Sequence, residues 1–152
     1  MRAVVQRVSR AAVEVADETV ATIGPGLCVL LGVTHDDDVE VARRMADKLY
    51  RLRIFDDERG VMNRSAADGG AELLVVSQFT VYGDASGGRR PSWIASARPE
   101  HAEPLVDEVV AELRRLGASV GTGRFRTEMQ VALTNDGPVT LVVDISPRRA
   151  PS

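Results

Sequence analysis

Cys28 is the only cysteine among 152 residues, so no disulfide can form within the chain. It sits in the apolar run "LCVLLGV", where a free cysteine behaves as a small hydrophobe, and it is expected in the core. Aromatics are scarce, with one Trp, two Tyr and three Phe. They are not interleaved with arginine as in the stacking platforms of RNA-binding modules. No apolar stretch approaches the roughly 20 residues that a membrane span requires. The start, "MRAVVQRVSR", lacks the apolar centre and cleavage site of a signal peptide. These absences predict a cytoplasmic protein with no membrane partner. The net charge of −3 argues against indiscriminate nucleic-acid binding, and no DNA partner is expected. A local basic patch is compatible with it, since arginines gather in "GGRRPSW" (87–93), "GRFRTE" (123–128) and "SPRRAPS" (146–152).

Several chemistries also lack their residues. His35 and His101 stand far apart, and neither has a Cys or His neighbour at zinc-ligand spacing. No GxSxG elbow, GxxxxGK[ST] loop or GxGxxG turn occurs. The sequence therefore offers no metal site and no evident nucleophile–base pair, and no cofactor is expected.

What is present reads as one domain over 1–146, followed by a disordered tail at 147–152. "RAVVQRV", "AAVEVA" and "TVATI" are short β-branched strands separated by turn-like "SR" and "DE". After "GPG" (24–26), "LCVLLGV" reads as a strand buried on both faces. Val39, Ala42, Met45, Ala46 and Leu49 then fall at helical spacing, behind aspartates that suit a helix start. "DDERGVMNRSAADGG" is a polar connection, "AELLVVSQFTVYGD" a second buried strand and "ASGGRRPSW" a loop. A second helix spans about 100–116, with Leu105, Val106, Val109, Leu113 and Leu116 on one face. Gly117 stops it, and Pro104 belongs in its first turn or marks its start. Three last strands lie near "SVGTG", "MQVAL" and "VTLVVDI", with Asn-Asp-Gly as a hairpin between the final two. The fold class is mixed α and β, with two main helices against mixed or antiparallel sheets.

Two segments resist this plain reading. Ser77, Gln78 and Thr80 bring polar side chains to the end of a strand otherwise made of Leu and Val. That is either a strand leaving the core or a site where freed N–H groups and side-chain donors converge. Pro138 stands where a returning strand should begin pairing, yet it has no N–H to give. It is either loop punctuation or part of a turn held stiff so that its backbone touches something.

The chain resembles the D-aminoacyl-tRNA deacylases of the bacterial and eukaryotic, metal-independent type. "MRAVVQRV", "IGPGLCVLLGV", "ADKLYRLRIF", "ELLVVSQFTVYGD", "GRRPSW", "ARPE", "TGRF" and "MQVALTNDGPVTL" carry the likeness almost from end to end. One departure is Arg126-Thr127, where the family often has Gly-Ala. The resemblance implies a ββα three-layer fold and a homodimer. It implies a hydrolase that frees D-amino acids from the 3′ end of tRNA, a chirality proofreading step in translation. The catalytic group would be Ser77, Gln78, Phe79 and Thr80. A cis Gly137–Pro138 turn from the other subunit would face it and select chirality, with Arg7 holding that turn. Arg89, Arg90 and Met129 are candidates for tRNA contact.

A glycine-lined backbone wall would exclude L side chains and accept many D ones. Glycyl-tRNA should then be cleaved too, and Gly137→Ala is expected to cut activity with little loss of thermal stability. Without a metal or triad, the 2′-hydroxyl of the terminal ribose can assist by proximity. Amides at Phe79 and Thr80 would hold the oxyanion, and Thr80 as covalent nucleophile is the competing route. An RNA-binding module and a small-molecule esterase without tRNA specificity remain the alternative functions.

Overall fold

The computed structural model describes residues 1–151. Its strands and helices run β1 (Arg2–Val15), β2 (Glu18–Ile23), β3 (Gly26–Gly32), α1 (Val39–Arg51), β4 (Phe55–Asp56), β5 (Met62–Arg64) and α2 (Ala66–Gly69). They continue with β6 (Glu72–Ser77), a 3₁₀ turn (Phe79–Tyr82), α3 (Pro99–Arg115), β7 (Val120–Thr122) and β8 (Gln130–Asp144). Successive side chains of a strand point to opposite faces, and here both faces are covered. Leu27, Val29 and Leu31 of β3, with Leu73 and Val75 of β6, pack with the buried stripes of α1 and α3. Their alternates Cys28, Leu74 and Val76 join Val8, Ala11, Val13 and Ile23 in a second core. The layers are therefore helix, sheet and sheet.

β1 organises the larger sheet. β8 runs antiparallel along its whole length, while Arg2–Val8 pair with β3 and Ala11–Val15 with β2. β6 joins β3 in parallel, and β7 joins β6. "SR" does not divide the first two strands: β1 passes straight through Ser9 and Arg10, with irregular register against β8 there. The hairpin falls at Ala16 (φ 48) and Asp17 (φ 65), the left-handed pair that tight two-residue hairpins require.

The helices follow their periodicity with small corrections. Asp38 caps α1 by accepting from Val41 N at 2.9 Å, and Val41 is buried while Val39 is 43% exposed. In α3 it is Pro99 that occupies the first turn. Pro104 lies inside the helix, and Val110 joins the buried face while Leu116 serves as the cap. The polar connection holds the β4–β5 hairpin and α2, which opens with a capping box between Ser65 and Asp68. Residues 147–151 form no helix or strand, although Arg148 Nε lies 3.3 Å from Glu40 Oε1. The last residue of the expected tail, 152, lies outside the described residues. Among the described residues no helix is long and apolar enough to cross a membrane.

The largest correction concerns the end of the chain. "MQVAL" and "VTLVVDI" are halves of one strand, β8, and both pair with β1 in the same direction. Asn135 is level with Val8 and Thr140 with Gln6, so residues 136–139 bulge out of the ladder. Pro138 costs no ladder bond because its position has none to make.

Candidate functional site: a cleft at the end of β6

β6 delivers Ser77 level with Leu31 of β3. Gln78 N then donates to Leu31 O at 2.8 Å, and the chain tightens into the 3₁₀ turn. The first bond of that turn runs from Val81 N to Gln78 O at 3.3 Å. The amides of Phe79 and Thr80 precede it and have no partner within the turn, as at any helix start. Gln78 Nε2 donates to Thr80 Oγ1 at 2.9 Å. A donor on that hydroxyl does not draw off its proton, as a base would have to do for a nucleophile. Ser96 Oγ donates to Phe79 O at 2.8 Å, and the Phe79 and Trp93 rings meet edge to face at 5.5 Å. A Cβ on Gly83 would collide with the Trp93 ring, so glycine there lets the indole lie against the turn. At the end of the turn, burial pushes the Tyr82 phenol up to about 12, with the Arg2 guanidinium 5.0 Å from its ring.

Ser77 to Thr80, Trp93 and Ser96 line a cleft of about 750 Å³, within the range of small-ligand sites. Ser77, Gln78, Phe79 and Thr80 form one side, Trp93 and Ala102 flank it, and Phe125 to Met129 close it. Of the sequence-level candidates for tRNA contact, Met129 lies in the cleft. Arg89 and Arg90 do not: they are exposed on a loop closed by paired backbone bonds between Asp84 and Ser92, at 2.9 and 2.7 Å.

The bulge on β8 is tied by side chains in place of ladder bonds. Asn135 Oδ1 accepts from Val139 N at 2.7 Å, and Asn135 Nδ2 donates to Val139 O at 3.0 Å. Arg7 Nε donates to Asp136 O at 2.9 Å, and Arg7 Nη1 donates to Ile54 O at 2.8 Å. Asp56 Oδ1 lies 3.5 Å from the same Nη1. Within the bulge the Gly137–Pro138 bond is cis, and Gly137 has φ +144. A Cβ at Gly137 would stand 2.9 Å from Val139 N and 3.2 Å from Arg7 Nη2. Gly137→Ala is thus strained within the chain itself, which corrects the expectation of little loss in stability.

The two signature segments do not meet within the chain. Gly137 and Pro138 are exposed and do not line the cleft. Ser77 is level with Leu31, whereas Arg7, beneath the bulge, is level with Leu27. That is roughly 13 Å along the strands at about 3.3 Å per residue, with β1 and β3 lying between.

Sequence reasoning passed over several lining residues. Trp93 and Phe125 fall in the quoted segments "GRRPSW" and "TGRF" without being given a role, and Ser96 and Ala102 have no local motif, because loops and a helix face bring all four in from distant positions. Arg126 is exposed at the cleft with φ 58, and beside it Thr127 Oγ1 donates to Arg124 O at 2.8 Å. Left-handed backbone explains why glycine suits this position. Among the described residues no three His, Cys, Asp or Glu side chains converge as metal ligands would.

Residues 4–144 match the family described as D-Tyr-tRNA(Tyr) deacylase. The chain is 60% identical over 146 residues to a D-aminoacyl-tRNA deacylase of Streptomyces coelicolor, covering 95% of this chain and 100% of that protein. It is 56% identical over 144 residues to one from Symbiobacterium thermophilum, covering 95% of each. Among solved structures, it resembles the c-Myc DNA Unwinding Element Binding Protein with a TM-score of 0.91 at 38% identity, over 97% of this chain and 100% of that one. A probable eukaryotic D-amino acid tRNA deacylase shares the fold, with a TM-score of 0.82 at 18% identity over 95% and 98%.

Proposed function

The chain belongs to the D-Tyr-tRNA(Tyr) deacylase family, and we propose on that footing that it hydrolyses the ester joining a D-amino acid to the 3′-terminal adenosine of tRNA. The observation that carries the mechanism is the strand end at Ser77 to Thr80. There, two amides without partners in their own turn belong to residues that line a cleft of nucleoside size. An oxyanion held by the Phe79 and Thr80 amides gains about 2.7–4 kcal/mol per donor. The neighbouring 2′-hydroxyl of the substrate's own ribose supplies proximity, so the protein need not provide a nucleophile. Thr80 takes second place as the attacking group, because its hydroxyl accepts from Gln78.

Chirality is read by a second copy of the chain. The Gly137–Pro138 bulge stands away from its own cleft and so is free to enter the partner's. Among the described residues β8 pairs only with β1, and Val142 is 63% exposed. A long bare edge strand of this kind is usually covered, and a homodimer would cover it. In the assembled site, Gly137 and Pro138 of the partner subunit form a backbone wall that L side chains strike and D side chains avoid. Glycine has nothing to strike, so glycyl-tRNA is also a substrate. The cell biology that follows is proofreading in the cytoplasm. DNA binding, suggested by the name of the 38%-identical structure, is opposed by the net charge of −3.

Initial rates on D-alanyl-, L-alanyl- and glycyl-tRNA, beside a simple D-alanine ester, test the reading. The expected order is fast release from the D-alanyl and glycyl species and none from L-alanyl. Equal rates on L-alanyl- and glycyl-tRNA would remove the backbone wall. Equal rates on the simple ester would reduce the protein to a general esterase.

A further inference from the structure

Arg126 adopts a left-handed backbone, φ 58, which glycine takes freely and an L residue takes against steric resistance. Strain of this sort persists where the side chain has a use. Its use here is not within the fold. Among the described residues Arg126 has no hydrogen-bond or ion-pair partner, whereas nearby guanidiniums do. Arg124 Nη2 lies 3.4 Å from Glu18 Oε1, and Arg114 Nη2 donates to Val120 O at 3.0 Å. Among the described residues Arg126 and Glu128 are also the only charged side chains lining the cleft. The unengaged cation thus sits at the mouth of a site whose other lining groups, Glu128 apart, are apolar or neutral.

We propose that Arg126 is a positioning residue for the substrate, its guanidinium donating to a phosphate of the tRNA 3′ strand as the terminal nucleoside enters the cleft. The proposal rests on the deacylase reading above. The planar guanidinium fork matches two phosphate oxygens at once. Glu128 beside it repels further phosphates and so limits the contact to one. A single exposed contact of this kind raises affinity modestly, and it fixes where the strand crosses the rim.

The test compares wild type, Arg126→Gly and Arg126→Lys on D-tyrosyl-tRNA over a range of salt, and on the 3′-D-tyrosyl ester of adenosine, which has no phosphate. Arg126→Gly should raise KM for the tRNA about two- to fivefold at low salt, with kcat little changed. Its plot of log kcat/KM against log salt should be shallower by about 0.7 to 0.9. Arg126→Lys should restore part of the loss. Arg126→Gly should not lower Tm, since glycine relieves the strain, and cleavage of the adenosine ester should be unaffected. An unchanged KM and salt slope, or an equal loss on both substrates, would overturn the proposal. Failure of wild type to cleave D-tyrosyl-tRNA would instead sink the deacylase reading, so the two failures are distinguishable.

Discussion

Gly137→Ala puts the bulge to a quantitative test. The native φ of +144 lies in territory that non-glycine residues reach at a cost of about 1–3 kcal/mol. The added methyl has little room to relax. It would stand 2.7 Å from Val139 Cγ2 and 3.2 Å from Arg7 Nη2, and Arg7 is itself held by the carbonyls of Asp136 and Ile54. For a domain of this size about 1 kcal/mol moves Tm by about 2–4 °C. The variant should therefore melt about 2–12 °C lower by calorimetry. It should remain folded at 25 °C, where initial rates on D-tyrosyl-tRNA are to be measured. A turn displaced by about 1 Å can cost as much as 10²-fold, so cleavage should fall by about 10- to 100-fold while the protein is still native. If Gly137→Ala matches wild type in both melting and rate, the bulge is neither strained by a side chain nor part of the site. A fall in Tm with full activity at 25 °C would leave only a structural role.

Two other outcomes follow from the cleft and the core. Thr80→Ala should keep a substantial fraction of activity, and tRNA ending in 2′-deoxyadenosine should be a poor substrate. Capture of an acyl group on Thr80 would reverse that ranking. Burial pushes the Cys28 thiol up to about 11 from 9.0, so native protein at pH 8 should resist iodoacetamide until unfolded. The same shift makes the neutral thiol the stable native form. Its contribution is complete below the unfolded value near 9 and is lost as pH rises toward 11, which a thermal-melt series across that window would reveal.

Elements whose pattern is repeated over many residues were legible. β3 and β6 show as apolar runs, and α1 and α3 as 3.6-residue stripes. Elements decided by a distant partner were not. Asn-Asp-Gly carries the local signs of a hairpin, against which Pro138 is the one warning, yet β1 is long enough to pair with both sides of it and overrules the turn. Ser9-Arg10 is overruled in the same way, since β1 runs through it. The capping box of α2, Ser65 with Asp68, lies in the segment read as a polar connection, and a four-residue helix has no periodicity to reveal it. At the site, Ser77 to Thr80 stood out as polar residues on an apolar strand. The role of Asn135 could not be read, since it depends on the bulge that its amide closes.

The separation of cleft and bulge within one chain has a genetic corollary. Under the proposed assembly each dimer holds two composite sites, and every site draws its donors from one chain and its wall from the other. A chain with a ruined strand end and a chain with a ruined bulge are each inactive as pure dimers. In a mixed dimer, however, both lesions fall in the same site and the opposite site is wholly wild type. Random exchange at equal concentrations makes roughly half of the dimers mixed. Two dead alleles expressed together would then restore roughly a quarter of all sites, and a chain that worked alone would show no such rescue.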